Sequence, residues 1–585
     1  MGKSNKSSIV TAHSTTSPTS NRMGTTVEVP MPDTIPIIFV PGIMGSNIKH
    51  QKLGKVWDMP NSTVAGLKTA KKRSQLKPAE LQQQLDPQKT SVDDSGTIQV
   101  DQRLKLNEAT LRKRYWGTVH WDSYGNILTY LQLVLNNVSL KDKPLYGGGV
   151  GGGYAVITQM KQQEAIYEWQ SLLTSNETSK WAFEEPFQAA STVEINHLKK
   201  FNFPVYAMGY NWLQSNEDSA QIILKKLEKI KAEYGSRFHK FIFVTHSMGG
   251  LVTRRLVQLC EDDIAGVVHG VMPADGAAAA YRRIVSGSYE GGGVKPWVTS
   301  FVLGKNTEHV TAVLANSPGG LELLPNAEYN NREPWLTLQG RNERNQLMQV
   351  KLPSKNILGG VDPYDQIYKA DKVWWEMVKE ELIDPAKMVS TSNQKASAKD
   401  IYKDKIDDVK NFHTKIAKKY HSCTYVNYGH DKKFMSFGTL TWTLDRKLIG
   451  LNTQQLQNLP RATAQQIGSY RQKIMQEQLQ KIKEGKGTDV NNRDLALENN
   501  GIRYIYLSSG NVGMFNISPE QDVPGDGTVP YQSGCAPLKQ NGVKQVFKMT
   551  GFDHQNSYND THVKRSVLYS IVKIIKENNI QPKYR

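Results

Sequence analysis

The sequence predicts an α/β protein with a mostly parallel sheet, interrupted by a large cap insertion and by further polar helical insertions. Three observations carry that prediction: short apolar runs bounded by turn residues, amphipathic helical stripes between them, and a serine-centred turn joining one run to one stripe.

Residues 1–34 are polar and rich in Ser and Thr, with no apolar h-region, so a disordered tail and no Sec signal are expected. Gly2 follows Met1, but Lys6 stands where N-myristoylation needs Ser or Thr. The core's first part, 35–275, begins with IPIIFV at 35–40, a run suited to a strand buried on both faces. The small-residue turn Pro41-Gly42-Ile43-Met44-Gly45-Ser46 follows. Residues from about 49 to 120 carry fourteen basic against seven acidic side chains and read as a solvated polar insertion. The glycine cluster at 146–153 fits no phosphate-binding fingerprint and reads as a loop.

The most regular stretch comes next. PVYAMGY at 204–210 reads as a strand, Ser215 as an N-cap with Glu217 and Asp218 in the first turn, and Ile222, Ile223, Leu227 and Ile230 as a helical stripe stopped by Gly235. KFIFV at 240–244 is a buried-type strand. Thr245-His246-Ser247-Met248-Gly249-Gly250 follows it, then a helix with Leu251, Val252, Leu256 and Leu259, then a strand at 266–272. This alternation indicates a parallel sheet. Residues 276–420 lose the pattern and read as a cap or lid domain, with Ala277–Ala280 and Leu321–Leu324 as candidate lining. The core's second part, 421–585, has strands at 424–428 and 545–549, a helical insertion at about 446–500 and a last helix at about 561–576.

The net charge of +18 favours an anionic partner: nucleic acid, an anionic lipid surface or an acidic protein. No helix-turn-helix cue, zinc spacing or aromatic ribonucleoprotein motif accompanies that charge, so no nucleic-acid partner is expected. Cys260, Cys423 and Cys535 are too few and too scattered for a disulfide framework or a metal site. No run approaches the ~18 apolar residues of a membrane-spanning helix.

The chemistry sits in THSMGG at 245–250. Between a strand and a helix, this is the setting of a nucleophile elbow, where strain lifts the serine Oγ above the sheet and close strand–helix approach demands small neighbours. Gly249 meets that demand, and Thr245 replaces the usual first glycine. A serine nucleophile needs a base and an orienting acid, arriving in the order Ser, acid, His. His554, after the 545–549 strand, is the leading base, and His562 competes from the start of the last helix. Asp526, between Gly525 and Gly527, leads among the acids. Asp275, at a strand end facing the same site, is the runner-up, and Asp431 is third. Oxyanion donors are expected from the amide of Met248, which follows the nucleophile, and from the Pro41-Gly42-Ile43 turn, with Ile43 N–H the choice there.

PIIFVPGIMGSNI from Pro36, YNW from Tyr210, THSMGG from Thr245, VNYG from Val426, GDGTVP from Gly525 and FDH from Phe552 occur in this order. The set resembles the lecithin:cholesterol acyltransferase-like branch of the α/β-hydrolases. It is more similar still to bacterial type VI secretion lipase effectors of the GPI-inositol-deacylase-like type. The resemblance covers about 35–275 and 421–580. It implies an α/β-hydrolase fold, Ser247 as nucleophile, Asp526 as acid, His554 as base, and the amides of Ile43 and Met248 as the oxyanion hole. It also implies a phospholipase toxin made in the cytoplasm, delivered by a type VI spike or carrier protein, acting on membranes of target cells and restrained by an immunity protein. A serine esterase of glycerophospholipids is therefore expected, with acyltransferase or general lipase chemistry as same-fold alternatives. A basic nucleic-acid-binding protein is the alternative of a different class. No cofactor is expected, calcium being the one ion left open.

Overall fold

The computed structural model describes residues 9–15, 24–30, 32–58, 75–140, 163–173, 181–183, 188–287, 306–388, 396–484, 500–507 and 511–583. Seven strands form the central sheet: β1 (Ile37–Val40), β2 (Ala182–Phe183), β3 (Val205–Ala207), β4 (Phe241–His246), β5 (Ile264–Gly270), β6 (Thr424–Gly429) and β7 (Val543–Met549). Their order is β3-β1-β4-β5-β6-β7-β2, parallel throughout except for β2 at one edge. Each apolar run read as a strand supplies one of these strands, with ends shifted by a few residues.

Strand alternation divides the core. Ile37 and Phe39 of β1 and Ile242 and Val244 of β4 face α1 (Trp121–Leu135) and the last helix, α4 (Thr561–Glu577). Ile38, Val40 and Phe243 face α2 (Asn216–Tyr234), α3 (Gly249–Cys260) and the cap. Helix α2 starts as its sequence requires, with Ser215 Oγ accepting the Asp218 N–H at 3.0 Å.

Three expectations need correction. The N-terminal 1–34 segment is not structureless: Ile9–Thr15 pairs antiparallel with Gly24–Pro30, and Asp33–Thr34 is buried and pairs with Phe201–Asn202. Its β-branched Thr, Val and Ile favour strand despite the polar composition. The 49–120 segment is not merely a solvated insertion. Ile48–His50, Gly54–Trp57 and Thr90–Val92 form a small antiparallel sheet, and Trp57, Leu81, Leu111 and Trp116 are buried. Its charges outnumber a few large apolar anchors that carry the packing. The cap, finally, is not a unit apart from the core's second part, and the sheet they share takes in only the start of the 446–500 insertion. Leu336–Asn342 and Leu347–Leu352 join Leu440–Leu448, Ile502–Tyr506 and Val512–Ile517 in one five-stranded sheet. Within Leu440–Leu448, Leu440, Trp442 and Leu444 alternate inward, a period hidden by the charged residues Asp445, Arg446 and Lys447. Helix Ala464–Lys483 does lie in that insertion, with Ile467 its buried contact. The glycine cluster at 146–153 lies outside the described residues.

Leu321 and Leu324, candidate channel lining, are buried in the core cluster that joins cap to sheet. Between them, Glu322 accepts the Asn216 N–H at 2.8 Å through its carboxyl and the His413 Nε2–H at 2.8 Å through its carbonyl. Burial pushes the Glu322 carboxyl well above the usual carboxylate range, outweighing the Asn216 N–H that favours ionisation. A raised folded-state pKa contributes stability that is full below the unfolded value near 4.5 and is lost as pH climbs to the folded value. Glu322→Gln keeps the shape and does not titrate. Its stability is therefore expected to gain on the wild type by about 1.4 kcal/mol per pH unit above ~4.5, until the buried carboxyl ionises. Urea unfolding of both proteins between pH 5 and 8 checks this; a pH-independent difference would mean that Glu322 is already ionised in the fold.

Candidate active site

The strand–helix turn between β4 and α3 holds Ser247 at φ 52°, a left-handed conformation that a non-glycine residue adopts only under constraint. That constraint is close packing. A Cβ on Gly249 would fall 2.5 Å from the carbonyl oxygens of Val40 and Pro41, so strand β1 and the start of α3 touch through a glycine. The Ser247 N–H donates to Gly270 O of the neighbouring strand at 2.9 Å. Thr245, in place of the first glycine, is fully buried, and its Oγ1 lies 3.0 Å from His269 Nδ1. A threonine thus fits because a polar partner waits for its hydroxyl.

His554 reaches the serine from the loop after β7, with Nε2 2.9 Å from Ser247 Oγ. Its Nδ1 lies 2.8 Å from Asp526 Oδ2. Asp526 is 1% exposed, and its other oxygen accepts the N–H groups of Thr528 (3.0 Å) and Val529 (2.7 Å). The two loops are also joined through the backbone, His554 N–H donating to Asp526 O at 2.7 Å. Ser436 Oγ accepts the Gly527 N–H at 3.1 Å, which ties the acid's turn to the Asp431–Ser436 strand.

The competing residues are placed elsewhere. Asp275 holds Asn326, whose Nδ2 donates to Oδ1 at 3.2 Å, and loss of hydration raises its pKa. Asp431 accepts the N–H groups of Lys433 (2.8 Å) and Gly551 (2.9 Å), bracing the loop that carries His554. His562 lies in the first turn of α4, its N–H on the capping carboxylate of Asp560.

Met248 follows the serine at the N-cap of α3, and the Pro41-Gly42-Ile43 turn lies against Ser247 and Gly249 on either side of it. A Cβ at position 42 would stand 3.0 Å from Ser247 Cβ, so glycine is what lets this turn approach the nucleophile. The 49–120 segment supports the turn from behind: Trp57 Nε1–H donates to Met44 O at 3.0 Å. Reading of the sequence missed Trp57, Ser436 and Tyr124, whose partners are distant in the chain. It also passed over His246, which had a signal in its place beside Ser247. Among the described residues no group of three or more His, Cys, Asp or Glu is placed to hold a metal ion.

A parallel sheet with a strained serine in a strand–helix turn, and an acid and a histidine arriving later in the chain, makes this molecule an α/β-hydrolase. The chain belongs to the lecithin:cholesterol acyltransferase family, whose model matches residues 183–567, and it is a lipase-type hydrolase. It is similar over 93% of its length to one chain of the crystal structure of the Tle4-Tli4 complex, 99% of which is covered, at 28% identity and a TM-score of 0.67. The phospholipase PlaB from Legionella pneumophila in complex with thio-NAD matches 37% of this chain and 55% of its own at 14% identity. Its TM-score of 0.13 is too low to bear on the fold. No curated protein matches.

Proposed function

We propose that this chain is a serine phospholipase that hydrolyses acyl esters of membrane glycerophospholipids, with Ser247 as nucleophile, His554 as base and Asp526 as its orienting acid. The observation that carries the reading is the continuous line from Ser247 Oγ through the His554 ring to a buried carboxylate, at 2.9 and 2.8 Å. In the reaction, His554 Nε2 takes the Ser247 proton as Oγ attacks the ester carbonyl, and the amides of Ile43 and Met248 receive the oxyanion. His554 then protonates the departing alcohol. A water, deprotonated by the same ring, releases the fatty acid. None of these steps needs a cofactor or a metal.

A phospholipid substrate is supported by the family and by the surface. The net charge of +18 suits an anionic bilayer, at about 1 kcal/mol per Lys or Arg held near it. Ile357 and Leu358 stand fully in solvent at a turn closed by Asn356, whose Oδ1 accepts the N–H groups of Leu358 (3.0 Å) and Gly360 (2.7 Å). That turn follows the cap-sheet strand whose Leu352 pairs with Leu336, which in turn pairs with Leu440. Gly438 and Thr439, just before Leu440, donate to Asp522 on the way to Asp526, so the aliphatic tip extends from the end of the cap that adjoins the acid loop. Such a tip suits insertion among acyl chains.

Similarity to a chain solved within the Tle4-Tli4 complex supports a bound protein partner, which for a toxic phospholipase would be an immunity protein. With the motif resemblance, it also supports delivery by a type VI spike or carrier into the periplasm or membranes of target cells. Acyl transfer is the second reading, favoured by the family's name; it shares the acyl-enzyme and differs only in the attacking acceptor.

The test is incubation with phosphatidylglycerol and phosphatidylcholine vesicles, with and without an alcohol acceptor, followed by mass analysis. Free fatty acid is expected in both arms, faster from the anionic vesicles. Ile357→Ser with Leu358→Ser is expected to slow vesicle hydrolysis about tenfold, given ~1.5–3 kcal/mol per fully buried side chain and partial insertion, with a soluble short-chain ester unaffected. Ester formation in place of fatty acid would establish the transferase, and no release from either lipid would refute the phospholipase.

A further inference from the structure

Behind the serine lies a line of buried polar groups for which the reaction as written has no use. The Gly42 N–H donates to Tyr124 Oη at 3.1 Å, and Tyr124 Oη lies 3.0 Å from His246 Nδ1. On the other side of the ring, His246 Nε2 lies 3.0 Å from His554 O. A carbonyl only accepts, so Nε2 carries the imidazole proton, Nδ1 is the acceptor, and the Tyr124 hydroxyl donates to it. Every bond in the line then has one direction. Tyr124 and His246 are 1% and 2% exposed. Burial, aided by the neighbouring His554, holds His246 neutral by lowering its pKa to about 3, which keeps this tautomer in place.

Sterics make the same connection. A Cβ on Gly42 would fall 2.8 Å from His246 Nδ1, and one on Gly45 2.7 Å from Tyr124 Oη, so both glycines of the Pro41–Gly45 turn leave room for these two side chains. The aromatic rings of Phe39 and Tyr558 pack on the pair, Phe39 at 5.0 Å from Tyr124 and Tyr558 at 5.8 Å from His246.

We infer that Tyr124 and His246 are positioning residues that lock the oxyanion turn at Gly42–Ile43 in register with the loop carrying His554. Neither touches substrate. They fix the distance between the amide that receives the developing negative charge and the imidazole that moves the proton. Those two groups come from strand ends far apart in the chain, and both must be correct to a fraction of an ångström when the tetrahedral intermediate forms.

The inference rests on Ser247 and His554 being nucleophile and base, and its test separates the two claims. Tyr124→Phe removes one oxygen and keeps the ring. His246→Gln keeps a donor near His554 O and moves its one acceptor, the amide oxygen, off the Nδ1 position that Tyr124 meets. Each is expected to lower kcat on a soluble short-chain ester about 10- to 100-fold with KM within twofold, and to weaken a boronic-acid inhibitor by a similar factor. The boronate adopts the tetrahedral form that the oxyanion turn must receive, whereas a merely structural role would leave the ratio of inhibitor to substrate affinity unchanged. The double variant should lose no more than the worse single one, since both remove the same link. His246→Asn, which keeps the acceptor and drops the His554 arm, should retain boronate affinity better than His246→Gln. Full activity of Tyr124→Phe, or of His246→Gln should Tyr124→Phe fail to fold, overturns the inference while Ser247→Ala stays inactive. Losses that multiply, or that fall in KM alone, overturn it as well. An active Ser247→Ala would instead remove the reading beneath it.

Discussion

Ser247→Ala is expected to lower kcat on any ester by about 10⁴- to 10⁶-fold while leaving the fold in place. The substitution deletes one hydroxyl at the surface of a turn whose backbone is held by Gly249 against β1 and by the Ser247 N–H on Gly270 O. No packing atom is lost, so circular dichroism and the melting temperature should stay close to wild type. Ser247→Gly should be equally inactive but more stable than Ser247→Ala by about 1 kcal/mol, because glycine relieves the cost of φ 52°. His554→Ala should fall to the same floor, and the Ser247→Ala/His554→Ala double variant should fall no further, since the two act as one unit. Directed to the periplasm of a bacterium, the wild-type chain should arrest growth and Ser247→Ala should not. Substantial turnover by the alanine variant would dismiss Ser247 as the nucleophile and, with it, the line of hydrogen bonds as the reaction's path.

How much of this was legible in the sequence follows from the range of each interaction. The βαβ units around 204–272 could be read because each apolar run, cap and helical stripe is a local pattern, and the elbow is a six-residue one. That Asp526 and His554 come together at Ser247 could be read because order along the chain substitutes for distance in space. The cap sheet could not. Leu440–Leu448 is paired with Leu336–Asn342, a hundred residues away, and its outward residues are charged because they face water. The same blindness hid Trp57 and Tyr124. Trp57 sits inside a segment whose average polarity is high and Tyr124 in the first turn of the helix just beyond it, and each matters through a single atom: an indole N–H on Met44 O, a phenol oxygen between Gly42 and His246. Averages over a window do not register single atoms. His246 is a different case, since it stood in plain view beside the serine. Its role depends on Tyr124 and on the His554 carbonyl, and neither belongs to the motif.

Asp526→Asn is expected to cost about four orders of magnitude in kcat, and Asp275→Asn less than tenfold. The asymmetry comes from hydrogen-bond directions. One oxygen of Asp526 accepts the N–H groups of Thr528 and Val529. An asparagine must keep its own oxygen there, because an amide NH₂ cannot accept from two donors. The NH₂ is thereby turned toward His554 Nδ1, 2.8 Å from the present Oδ2. Nδ1 is then forced to be an acceptor, so the neutral ring carries its proton on Nε2, the nitrogen 2.9 Å from Ser247 Oγ. A protonated Nε2 cannot take the serine proton, and the nucleophile is stranded although every heavy atom keeps its place. Asp275 has no such lever: its carboxyl meets Asn326, and an amide in its place can accept from the same Nδ2. Rates for the two variants on one soluble ester decide the matter. Collapse of Asp275→Asn alone would transfer the orienting role to Asp275. Equal collapse of both, with both folded, would mean that the cap contact at Asn326 holds the acid loop in place.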